Sequence, residues 1–183
     1  MNRFLLTATV AAAMLSASPR LHAAPAAIDA CALLSRSEVT AVIRKPVESV
    51  QPFDNGVTNQ GAYSTTCIWA SPLPPGVAPD PNKRLGGRGF VVVSIMNWPG
   101  GSSDAAKFLA DFYKAFEQHG IDSKPVPVEI GADDSLWWGD GVAARKNGVS
   151  VGVSVAQFGD RAARQPQSEA LAMLIIKKLS ENP

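Results

Sequence analysis

The stretch "VAARKNGVSVGVSV", residues 142–155, constrains the fold of this chain more than any other. Asn147-Gly148 is a dipeptide that closes a two-residue β-hairpin of type I′, because both residues tolerate positive φ. Such a turn fixes the register: Lys146 faces Val149, Ala144 faces Val151, and Val142 faces Val153. Strand alternation then sorts the side chains. Val142, Ala144, Val149, Val151 and Val153 share an apolar face, while Ala143, Arg145, Ser150, Gly152 and Ser154 share the other. Turn chemistry and hydrophobic pattern agree, so an antiparallel meander is predicted over 135–158.

The preceding stretch, "GADDSLWWGDG" (131–141), feeds this hairpin. Gly139-Asp140 reads as a second two-residue turn, and Asp133 or Asp134 as turn residues before the strand. Alternation then sends Trp137 to the core side with Val142, and sends Leu136 and Trp138 to the side of Ala143 and Gly152. Small residues there make a shallow floor beside a large aromatic wall. Either a helix packs closely on that floor, as strand glycines often signal, or the floor is a groove for an apolar ligand or partner.

Elsewhere the pattern alternates helices with strands. Ser35 and Glu38 form a capping box at the head of a short helix, with Val39, Val42 and Ile43 on one face and Pro46 as its stop. Segments 47–53 and 63–70 read as strands around a polar Gly/Asn loop. "FVVVSIMNW" (90–98) is apolar on both alternating faces, which marks a central strand covered on both sides. "SSDAAKFLADFYKAFEQHG" (102–120) is an amphipathic helix capped by Ser102 or Ser103, with Ala105, Phe108, Leu109, Phe112 and Phe116 as its stripe. "QPQSEALAMLIIKKLS" (165–180) is a last helix with Leu171, Leu174, Ile175 and Leu179 inward. Between the second strand and the central one, residues 71–89 hold five prolines and four glycines. That composition predicts an exposed loop without ladder or helix, and Lys83, Arg84 and Arg88 make it a candidate protein-docking loop. The sum is a single α+β domain, an antiparallel sheet flanked by helices.

The first residues set the expected compartment. Arg3, the apolar run "FLLTATVAAAML" and the small residues around Ala23 predict a secretory signal peptide over 1–23, leaving one domain at 24–183. Arg3 and Arg20 leave with it, so 17 basic residues become 15 against 16 acidic, and the formal charge moves from +1 to −1. Such a balanced surface offers no field for nucleic acid. No further stretch is long and apolar enough to predict a transmembrane segment. The destination is then periplasmic or secreted. In an oxidising compartment the two cysteines, Cys31 and Cys67, are expected to form one disulfide; the rival, a redox pair, more naturally takes a C-x-x-C spacing.

Chemistry-bearing motifs are few. His119 is the single histidine left after residue 23, too few for a multi-histidine metal site. No G-x-S-x-G elbow, phosphate loop, H-E-x-x-H or dinucleotide fingerprint occurs. No cofactor and no metal site are therefore expected. Asp133, Asp134 and Asp140 remain as acidic candidates, but a calcium loop with two tryptophans between its ligands is a poor one.

The segments "DACALLSRSEVTAVI" (29–43), "STTCIW" (64–69), "EIGADDSLWW" (129–138) and "VSVGVSV" (149–155) together resemble a family of small secreted proteins of unknown function, best represented among actinobacterial lipoproteins. The shared pattern is C-x-L-L, then E-V, then C-x-W. The resemblance implies a cysteine pair and a fold similar to the PsbP-like group, and brings no catalytic residues. The chain departs from the family at its N-terminus, where no lipidation box precedes Cys31. The leading expectation is a non-catalytic envelope module for binding, sensing or accessory roles, with Trp138, Leu136 and Arg145 facing a small apolar ligand, or Lys83 and Arg84 facing an envelope protein. The alternatives are a small secreted hydrolase using the acidic residues of 133–140, and a periplasmic inhibitor or immunity protein.

Overall fold

The computed structural model describes residues 25–118, 124–158 and 161–181. The expected signal peptide over 1–23 lies outside them, as do His119 and Gly120. The described chain runs α1 (Arg36–Ile43), β1 (Ser49–Val57), β2 (Tyr63–Ala70), β3 (Phe90–Asn97), α2 (Ser102–Gln118), β4 (Val126–Pro127), β5 (Asp134–Trp137), β6 (Val142–Lys146), β7 (Val149–Ala156) and α3 (Arg164–Glu181). All strands join one antiparallel sheet in the order β1-β2-β3-β7-β6-β5-β4. It is two meanders, β1–β3 and β4–β7, joined where β3 lies against β7. The α+β class with a flanked antiparallel sheet is as the sequence predicts.

The hairpin register holds residue for residue: Val142 faces Val153, Ala144 faces Val151 and Lys146 faces Val149. The turn itself differs from type I′. Asn147 takes φ 52° but Gly148 is not in the left-handed region. Gly148 is required for another reason, since a Cβ on it would lie 2.8 Å from the Gly101 Cα. The turn before β6 is also as expected, with Trp138 N–H donating to the Gly141 carbonyl and Gly139 at φ 102°.

One face of the sheet carries the main core. Val91, Val93 and Ile95 of β3, Val151, Val153 and Val155 of β7, and Val142 and Ala144 of β6 pack there with Leu171, Ala172, Ile175 and Ile176 of α3. Val39 and Ile43 of α1 and the fully buried Trp69 complete it. The capping box of α1 forms as read, but the helix ends on Arg44 in a left-handed conformation rather than at Pro46. Glu38 also accepts from Lys178 of α3 at 2.8 Å, which ties the two helices together. Cys31 and Cys67 are bonded, with Cα atoms 5.1 Å apart.

Three further expectations need correction. β1 runs on through Pro52 and a bulge at Asp54/Gly56, into the part expected as loop. It tolerates both because it is an edge strand, where a missing N–H and an extra residue disturb only one neighbour. Neither Ser102 nor Ser103 caps α2; the helix already starts at Ser102, the Gly101 carbonyl accepts the first helical bond from Ala105, and Asp104 reaches back to the Gly100 N–H. The loop 71–89 contains one 3-10 turn, Arg84–Gly87, interrupted by positive φ at Leu85 and Gly86. The rest of that loop is irregular and mostly exposed.

A candidate ligand cleft under the second helix

α2 lies on the sheet face opposite α3, and its main strand contacts are with β6 and β7. Its Ala105 and Leu109 are buried. Phe108, Phe112 and Phe116, one turn apart, are only partly covered and form a continuous row: Trp98 to Phe108 at 5.1 Å, Phe108 to Phe112 at 6.5 Å, and Phe112 to Phe116 at 5.0 Å between ring centroids. Trp138 closes the row from the sheet, 5.5 Å from Phe112 and 6.1 Å from Phe116. Tilted rings at these spacings attract each other beyond their area burial, so the row is a stiff wall.

Beneath the wall the helix does not meet the sheet everywhere. A cavity of about 210 Å³ remains, with Phe108, Phe112 and Trp138 on one side and Val92, Ser94 and Met96 of β3 on the other. Ser150, Gly152 and Ser154 of β7 form its floor, where Ser94 lies opposite Gly152. A Cβ built on Gly152 would meet only Ser94, at 3.8 Å and 3.9 Å, and no atom of α2 within 4 Å. So the glycine is not there to let the helix approach. α2 spans the floor and leaves a space above it.

The polar groups of the cleft are all neutral. Ser150, 6% exposed, accepts the Trp98 Nε1–H at 2.8 Å. Ser94 and Thr66 share a hydrogen bond at 3.3 Å. None of the residues lining the cavity carries a charge.

Of the sequence candidates, Trp138 lines this cleft and Leu136 does not. Leu136 is buried on the same sheet face but borders a separate depression with Leu109, Ala110 and Tyr113. Trp137 points the other way and packs, half-buried, against the main core. Arg145 is outside the cleft: its Nη1 donates to the Ser102 hydroxyl at 3.2 Å and lies 3.7 Å from the Asp133 carboxylate. Lys83 and Arg84 sit exposed on the 71–89 loop, where Lys83 pairs with Asp80. Sequence reasoning misses Trp98, Ser150 and the half-open phenylalanines as site residues. Their one signal is a helix stripe with rings at every fourth position facing a strand face of serine and glycine.

Of the three aspartates, Asp133 is held structurally, while Asp134 lies exposed at the start of β5. Asp133 accepts from the Asn147 N–H at 2.6 Å and from Lys146 at 3.2 Å. Burial pushes its carboxyl up, but the Asn147 N–H, Lys146 and Arg145 outweigh that and hold it below its usual value. A carboxylate so saturated with donors is a hairpin clamp. Asp140, on the turn beyond the far end of β5, is exposed and 4.0 Å from Arg164. Among the described residues no group of three or more His, Cys, Asp or Glu could hold a metal ion, and no helix is long and apolar enough to cross a membrane.

Comparison of the chain with protein-family models, with curated proteins and with solved structures finds no match.

Proposed function

We propose that the chain is a non-catalytic binding module of the cell envelope, related to the small secreted proteins it resembles, and that it holds a small apolar ligand between α2 and the sheet. The observation that carries this reading is the unfilled space over Gly152, roofed by aromatic rings. The cleft is half open, and its partly exposed Val, Met and Phe side chains keep apolar surface in water that a guest would cover. The disulfide is in keeping with a secreted protein, since such bonds persist in oxidising compartments.

The test is an NMR titration with isopropylbenzene, on wild type and on Gly152→Leu. The backbone at Gly152 has ordinary strand φ, and its Cβ position is open. The leucine side chain therefore fills the cleft without displacing backbone. Wild type is expected to bind the probe, and Gly152→Leu to keep its melting temperature and lose the binding. If the leucine instead lowers the melting temperature steeply, α2 seats on that glycine and the cleft is closed. Absence of binding to wild type would also end the reading.

A further inference from the structure

Given the binding function proposed for the cleft, on which this inference rests, its size, its lining and one hydroxyl group narrow the class of guest. An engineered apolar cavity of about 150 Å³ holds benzene, and drug-sized ligands need roughly 300 Å³ or more. At about 210 Å³ the cleft fits a single substituted ring or a chain of similar bulk. No lining residue is charged, and Arg145 and Lys107 are engaged elsewhere, Arg145 by Ser102 and Asp133 and Lys107 by Asp111. A charged guest would be desolvated there without a partner, which is costly.

Ser150 supplies the remaining constraint. Its oxygen is occupied as acceptor by the Trp98 indole N–H, which leaves its own O–H as the free donor. That hydroxyl is buried, and no side-chain or backbone acceptor within the described residues takes its proton. Buried donors find acceptors, so the guest presents one. Two other donors border the cleft. Ser154, at the other end of the β7 floor, has an unpartnered hydroxyl but is only half-buried. The Trp138 indole N–H is buried without a partner but faces Gly141 in the turn before β6. We infer that the ligand is a neutral molecule of single-ring size with an uncharged acceptor oxygen, a carbonyl or ether, directed at the Ser150 hydroxyl beneath Trp98.

Three probes of equal heavy-atom count separate the possibilities: isopropylbenzene, acetophenone and benzoate, titrated by NMR at neutral pH. Acetophenone is expected to bind about fivefold more tightly than isopropylbenzene, the gain of one net hydrogen bond. Benzoate is expected to bind at least about a hundredfold more weakly than acetophenone, for want of a partner to its charge. Ser150→Ala should erase the acetophenone advantage and leave isopropylbenzene within about twofold, while Ser154→Ala keeps the advantage, since only one hydroxyl has its proton committed to the guest. Acetophenone no tighter than isopropylbenzene, or benzoate within tenfold of acetophenone, overturns the ligand class while the cavity reading stands. Loss of the advantage in Ser154→Ala alone overturns the assignment to Ser150. Failure of isopropylbenzene itself to bind would instead overturn the cavity reading. Should Ser150→Ala unfold for want of the Trp98 acceptor, the three wild-type affinities still decide the class.

Discussion

The two adjacent tryptophans divide their labour by strand alternation alone. Trp137 rests against the α3-side core, and Trp138 meets Phe112 at a tilt and Phe116 edge to face on the α2 side. Alternation predicts full burial of Trp137; half-burial is found, because β5 is the penultimate strand and only the short β4 lies beyond it. Trp137→Ala should therefore cost about 2–3 kcal/mol by chemical denaturation, below the usual range for a packed aromatic. Trp69→Ala, from a fully buried ring, should cost about 3–5 kcal/mol. Equal losses would mean that Trp137 is more deeply covered than its exposure shows. This pair is legible in the sequence because a two-residue turn sets its register. Trp98 is not, since it lies one residue past the end of β3, where alternation lapses and a side chain's direction depends on the next turn. Its N–H bonds to the Gly148 carbonyl and its indole to Ser150, contacts of long sequence separation that no local pattern encodes.

At the scale of elements, two contacts hold helices to their neighbours. The first is Glu38 to Lys178. The Lys178 ammonium, with the Ser35 N–H and hydroxyl, holds the Glu38 carboxyl down at about 2, from an ordinary 4.5. A carboxyl lowered on folding adds stability that is whole above the unfolded value and is lost as pH falls through the folded one. The window is then pH 4.5 down to about 2. Glu38→Gln keeps the reach-back to the Ser35 N–H and removes only the charge. Wild type should melt lower with acid across that window more steeply than Glu38→Gln; parallel curves would show that the pair is solvated and idle. The second contact is the hairpin tip against the start of α2. Gly148→Ala drives a Cβ into the Gly101 backbone, so a loss of about 1–3 kcal/mol is expected. No loss would mean that the tip moves freely away from the helix. Here sequence reading finds the right dipeptide for a partly different reason: asparagine supplies the positive φ, and glycine supplies the missing Cβ.

For the whole molecule, the sheet is covered unequally, and this governs both stability and function. α1 and α3 seal one face over the main core, while α2 spans β6 and β7 on the other and leaves the cleft. The sealed face is legible as runs of Val, Ile and Leu. The open one is not, since whether a helix touches a glycine floor depends on how the aromatic side chains of the helix prop it. The sealed face depends in turn on its N-terminal segment, which enters beside β2. Thr65 donates to the Ile28 carbonyl and accepts from the Ala30 N–H, and the Cys31–Cys67 bridge fastens the same segment two residues further along β2. The bridge closes a separation of 36 residues, worth roughly 4 kcal/mol through the entropy of the unfolded chain. Cys31→Ala should lose about that much. Cys67 is fully buried in the core, so Cys67→Ala should lose a similar amount, and Cys67→Ser about 1–3 kcal/mol more, because its hydroxyl lacks a partner there. The measurement is denaturant unfolding of the three variants beside wild type. A loss below about 1 kcal/mol in Cys31→Ala, well short of the entropic figure, would show that the Thr65 hydrogen bonds already hold the segment and that the bridge is redundant to the fold.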